Sequence, residues 1–185
     1  MNYRIFIILL LSFYSSLLAS QQKVTIRLLT DIEPGFVFFR VSSGQYIADC
    51  HDGRPFAVNS NETVIIARYG DRLAVKPEGG NGFFADSVIF RDAALNSTFM
   101  LRGGNDLPAY RRYSGSLGCF PDLGSLLLLN TTGIGDYVAG VVRTEGGSGR
   151  SGEYFKTQAL IARTYTYKNL ERHNRDRFNL CDDTH

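Results

Sequence analysis

Seven short runs between Lys23 and Asn130 set the tightest limit on how this chain can fold: VTIRLL, GFVFFRV, TVIIARY, RLAVKP, DSVIF, TFMLRG and SLLLLN. Each is apolar or alternating, and Gly, Asn, Asp or Pro residues separate one from the next. Runs of this length are short for helices, whereas alternation puts every second side chain on one face of a sheet. The Gly, Phe and Tyr content of 19, 13 and 10 residues fits strands joined by tight turns. Helical spacing begins only after Asp136. The expected class is therefore α+β, a β-rich N-terminal region over residues 21–112 packed with a helical segment inside residues 113–185. No internal repeat or low-complexity linker interrupts the chain, and about 165 residues beyond a leader suffice for one core.

The first twenty residues read as that leader. Arg4 gives a positive start, and IFIILLLSFYSSLL is apolar but too short to span a membrane comfortably. Ala19 and Ser20 then precede polar Gln21, so residues 1–20 are expected to be a cleaved secretory signal peptide, with an uncleaved anchor as the alternative. No cysteine stands at the cleavage point to carry a lipid. Export places the protein in the cell envelope, periplasmic or extracellular. The net charge of +2, with no basic run interleaved with aromatics, argues against a nucleic-acid partner. Cys50, Cys119 and Cys181 cannot all pair within one chain, and in an oxidising envelope Cys50 and Cys119 could form a disulfide.

Two helices are expected after Asp136. Tyr137, Val138, Val141 and Val142 recur at helical spacing, with Asp136 as N-cap and Gly146–Gly147 as the stop. Counting three, four and seven from Val138 reaches Val141, Val142 and Glu145, which puts Glu145 on the apolar face. Partial burial and the negative helix end both disfavour a charged carboxylate, a setting suited to proton donation. A Glu pointing into solvent from the helix end is the plainer alternative. In the second helix Ser151 is the N-cap, and Phe155, Ala159, Ala162 and Leu170 form a broken apolar stripe. Arg163 lies at its edge, either snorkelling past the core or held as a donor toward a carboxylate or a sugar.

The run YVAGVVRTE, a Gly- and Ser-rich interval, EYFKTQALIARTYTYKNLERH and then FNLCDDTH resemble, in that order, the SpoIID/LytB family. This is the stage II sporulation protein D and amidase-enhancer domain. Glu145 falls at the position of the family's acid, and Lys156, Gln158, Ala159, Ala162, Arg163, Thr164 and Tyr165 match the second segment. YSGSLGCFPDLGSLLLLNTTGIGDY is similar to the strand pair that precedes the family's first helix. The interval GGSGRSG departs from the family, which commonly has a methionine, an apolar residue and a proline there. Family members also continue past the CDxTH-type segment, so the chain reads as a fragment.

The resemblance implies a lytic transglycosylase acting on peptidoglycan glycan strands freed of stem peptides. Glu145 would serve as acid and then base, and Arg163 and Gln158 would hold the sugar. One carboxyl suffices when a sugar hydroxyl rather than water closes on C1, unlike the pair that ordinary glycosidases need. The other implied role is a non-catalytic binder that stimulates an N-acetylmuramoyl-L-alanine amidase. No cofactor is required for either. Cys181 and His185, with His173 upstream, loosely match zinc-ligand spacing. Some family members carry a metal there, and a free cysteine with two surface histidines is the competing reading.

Overall fold

A computed structural model describes residues 22–182 apart from 52, 95 and 105–108, and the side chain of residue 174 is also left aside. The leader expected at residues 1–20 lies outside the described residues, as does His185. Among the described residues thirteen strands form two sheets, with two α-helices near the C-terminus, so the fold is α+β and β-rich.

The first sheet runs in the order β13 (Leu180–Cys181), β1 (Lys23–Leu28), β12 (Leu126–Gly133), β11 (Ser116–Pro121), β8 (Val88–Asp92), β3 (Gln45–Cys50) and β4 (Phe56–Asn59). The second runs β10 (Arg111–Ser114), β9 (Thr98–Gly103), β2 (Phe36–Ser43), β5 (Thr63–Tyr69), β6 (Arg72–Pro77) and β7 (Phe83–Ala85). Every pairing is antiparallel except β1 with β13. The alternation in the sequence is met side by side. Val24, Ile26 and Leu28 of β1 point inward, as do Val37, Phe39 and Val41 of β2. The two inner faces meet in an aromatic centre. Phe39 stacks on Phe90 at 3.9 Å between centroids and lies 5.1 Å from Phe99 and 5.5 Å from Tyr46.

Two of the crossings between sheets turn at glycines, Gly44 (φ +77°) between β2 and β3, and Gly115 (φ +84°) between β10 and β11. A side chain at Gly44 would collide with Ser97, and one at Gly115 with the Thr131 carbonyl. Buried Tyr46 ties both corners together. Its hydroxyl proton is shared between the carbonyls of Ser97 and Gly115, each 3.0 Å away. Tyr46→Phe removes that donor from a buried site and is expected to destabilise the protein by about 1–3 kcal/mol. Urea unfolding measures it, and an unchanged midpoint would show that the corners hold without the bond.

Cys50 and Cys119 stand opposite the same residue, Val88, from the strands on either side of β8. Two strand spacings of about 4.8 Å separate them, more than a disulfide spans. Both thiols are free and buried, and burial pushes Cys50 up to about 11 and Cys119 higher still. The pairing that the sequence left open is therefore not formed.

Candidate functional site

The first helix, α1 (Ile134–Glu145), starts directly where β12 ends. Its N-cap is Gly133, not Asp136, which sits in the first turn without capping. The reason is that the Ile134 amide is already satisfied by the Gln22 carbonyl at 3.0 Å, so the helix opens against the start of β1. Ile134 and Val138 are buried, and Val142 packs against the core with Tyr137. The helix closes as expected at glycine: Gly146 is the C-cap and Gly147 takes a left-handed φ of +65°.

Glu145 is exposed, a correction to the half-buried position expected from its spacing. Glu145 is the last residue of the helix, and Phe155 from the next helix packs onto Gly146 instead. A Cβ on Gly146 would lie 2.8 Å from the Phe155 ring. The Glu145 carboxylate has no hydrogen-bond or ion-pair partner among the described residues, which leaves its oxygens free for an incoming group.

The second helix, α2 (Gly152–Asn169), is capped by Ser151, whose Oγ accepts from the Tyr154 amide at 3.2 Å. It packs against α1, which in turn packs on β12 and β1. Ala159, Ala162 and Leu170 face the core, with Thr166 fully buried between them and donating to the Ala162 carbonyl at 2.8 Å. Arg163 is exposed, its guanidinium 5.7 Å from the centre of the Tyr167 ring, and makes no ion pair with Glu145. Gln158 is half-buried and donates to the Tyr154 hydroxyl at 3.3 Å.

Two groups not among the expected site residues join this region. Tyr137 stands eight residues before Glu145, about two helical turns and hence the same face. Burial pushes the Tyr137 hydroxyl up, and the negative charges of Glu145 and Asp182 add to it, so it remains a protonated donor. The second is Asp182. Its carboxylate accepts from the Leu29 amide at 2.6 Å and from the Thr30 amide and hydroxyl at 3.2 and 2.8 Å, with Arg111 3.9 Å away. This holds Leu29 at a φ of +57° and fixes the last described turn to the end of β1. Asn179 fastens the same segment, bridging the Thr25 amide and the Leu170 carbonyl. Only the i, i+8 spacing of Tyr137 and Glu145 was open to a reader of the sequence.

Asp182→Asn keeps the shape but offers one acceptor where three donors converge, and it removes the charge opposite Arg111. A loss of about 1–3 kcal/mol is expected. Faster hydrogen exchange at the Leu180 and Asp182 amides would mark it, and unchanged exchange there would show that strand pairing alone holds the segment.

The metal reading gains no cluster. His173 stacks on Phe178 at 4.9 Å and its Nδ1 lies 3.5 Å from Asp176. Cys181 is half-buried in β13. No three His, Cys, Asp or Glu side chains gather to hold a metal among the described residues.

No curated protein and no solved structure matches the chain. Residues 123–185 match the family model described as Stage II sporulation protein, SpoIID. The match takes in β12, α1 with Glu145, α2 with Arg163, and β13 with Asp182. Over its C-terminal third this chain is thus similar to the SpoIID family of stage II sporulation proteins.

Proposed function

We propose that this protein acts in the bacterial cell envelope, exported by the leader at residues 1–20, as a lytic transglycosylase on peptidoglycan glycan strands. The observation that carries the reading is the partner-free carboxylate of Glu145 at the end of α1, inside the SpoIID-matched segment. Glu145 protonates the glycosidic oxygen as the C1–O bond breaks. The C6 hydroxyl of the same muramic residue closes on C1, and the carboxylate takes up the proton that this hydroxyl loses. The bonds balance without water, giving one 1,6-anhydro end and one free hydroxyl end. The Tyr137 hydroxyl, on the same helix face, supplies a second donor toward the sugar or the carboxylate. Arg163 and Gln158 on α2 hold the strand.

The product distinguishes this reaction from hydrolysis. Mass spectrometry of glycan strands freed of stem peptides and incubated with the protein should show anhydro ends. Reducing ends with an added water would replace this reading with ordinary hydrolysis. One feature favours a second reading, a wall binder that stimulates an N-acetylmuramoyl-L-alanine amidase. The larger of two described cavities, about 350 Å³, is lined by Ile32, Pro34, Phe36 and Gly103, away from Glu145. Glycan binding with amidase stimulation and no anhydro end would establish that reading instead.

A further inference from the structure

The outward strand positions of the second sheet carry charge of one sign, and a carboxylate beside them, Glu78 just past the end of β6, is bonded to the Thr63 amide. These positions hold Arg112 on β10, Arg102 on β9, Arg40 on β2, and Arg72 and Lys76 on β6, with no Asp or Glu among them. The whole chain is nearly balanced, 20 basic against 18 acidic residues, so this face is not a sample of the average. Arg72 is neutralised by Asp86 at 2.9 Å. Arg40, Arg102, Arg112 and Lys76 have no carboxylate partner among the described residues, and the Nε atoms of Arg40 and Arg102 are buried without an acceptor.

The register shows how these groups are spread. One row crosses Arg102, Phe38, Ile65 and Lys76 on four successive strands, and the next crosses Arg112, Met100, Arg40 and Thr63. Arg102 and Lys76 are thus three strand spacings apart, about 14 Å. The Arg102 guanidinium lies over the Phe38 ring at 4.4 Å, which fixes its plane. Toward β7, Tyr69 and Phe84 pack at 4.9 Å between centroids and stand 66% and 48% exposed. A broad face of spaced cations and ring surfaces suits an extended polyanion with apolar ring faces of its own, not a small ion.

We infer that this face is a second glycan-binding surface, which takes peptidoglycan strands through the free lactyl carboxylates left when stem peptides are removed. The inference rests on the proposed substrate but not on the chemistry at Glu145. Removing a stem peptide cleaves an amide and exposes one carboxylate on every muramic residue, so charge repeats along the strand. Guanidinium groups pair with carboxylates in planar, two-point fashion, and the sugar's C–H face covers an aromatic ring. The helices pack on the other sheet, so the surface tethers the strand at a distance from Glu145 and raises its local concentration there. The residues that form it all precede the SpoIID-matched segment.

The test measures sedimentation of the full chain with denuded glycan strands, with the same strands after conversion of their carboxyls to methylamides, and with single-stranded DNA. R40Q/K76Q/R102Q/R112Q should weaken binding to denuded strands by about tenfold or more, and the exposed pair K76Q/R112Q by about threefold. The methylamide strands should bind the unaltered chain as weakly as denuded strands bind the fourfold variant, and Glu145→Gln should bind normally. If the fourfold variant does not fold, the exposed pair decides. Undiminished binding by a folded variant, equal binding of methylamide strands, or DNA binding as tight as glycan would each overturn the inference. Loss of anhydro product in Glu145→Gln with binding unchanged in the face variants would leave the proposed reaction standing and remove this surface. Glycan binding that depends on the face without any anhydro product would do the reverse.

Discussion

Replacing Glu145 by Gln is expected to cut the release of anhydro-ended product by roughly 10²–10⁴-fold, the usual contribution of a positioned acid or base. In the proposed reaction the substitution removes both the proton for the leaving oxygen and the base for the closing hydroxyl, and it changes little else. Glu145 is exposed and bonds to nothing described, so the unfolding midpoint should not move. Single-turnover assays on denuded strands, set beside thermal unfolding, separate the two effects. A variant that keeps full product release would take the role away from Glu145. A variant that loses both product and stability would show that the carboxylate has a structural duty that its surroundings do not reveal.

Phe39→Ala is expected to be the most destabilising simple truncation, at about 3–5 kcal/mol. The ring lies fully buried between the sheets, stacked on Phe90 from the first sheet and touching Phe99 and Tyr46. Those neighbours are locked in turn. Tyr46 is held by its hydroxyl, and Phe99 stacks on Tyr113 at 5.6 Å. The space left by the missing ring therefore has little to collapse into, and the cavity adds to the lost transfer energy. Urea unfolding read by circular dichroism gives the value. A cost below about 1 kcal/mol would mean that the sheets are held chiefly at their corners, because a rigid aromatic centre cannot lose a ring so cheaply.

The seven runs singled out in the sequence all fall on strands, most of them with a buried face that repeats every second residue, while SLLLLN in β12 is buried almost continuously. The strand pair expected from the family resemblance is present as β11 and β12. The remaining strands gave weaker signals. In β3 the outward Gln45 and Asp49 break the apolar look of QYIADC, and β13 is only two residues long. The second helix was legible down to its cap, since Ser151 and Glu153 are local signals. The start of α1 was not, because a backbone carbonyl from residue 22 does the capping that a side chain was expected to do. The burial of Glu145 could not be read for a similar reason. Helical counting gives the face correctly, but which residues cover that face depends on where Phe155 packs. Asp182 shows the same limit, since its partners at Leu29 and Thr30 lie more than 150 positions away.

The position of β1 between β12 and β13 also sets an order of events. The strand at residues 23–28 finds its antiparallel neighbour only after residue 126 has emerged and its parallel neighbour only after residue 180. The hairpin of β11 and β12 closes locally and early, while β1 must wait through more than half the chain. Pairings of such long range are slow, because the loop is closed before any contact rewards it. Until then β12 keeps an open apolar edge, and α1 lacks the carbonyl that starts it. A chain stalled before β1 docks would hold a nearly complete aromatic centre, while α1, which ends at Glu145, would still lack its starting contact.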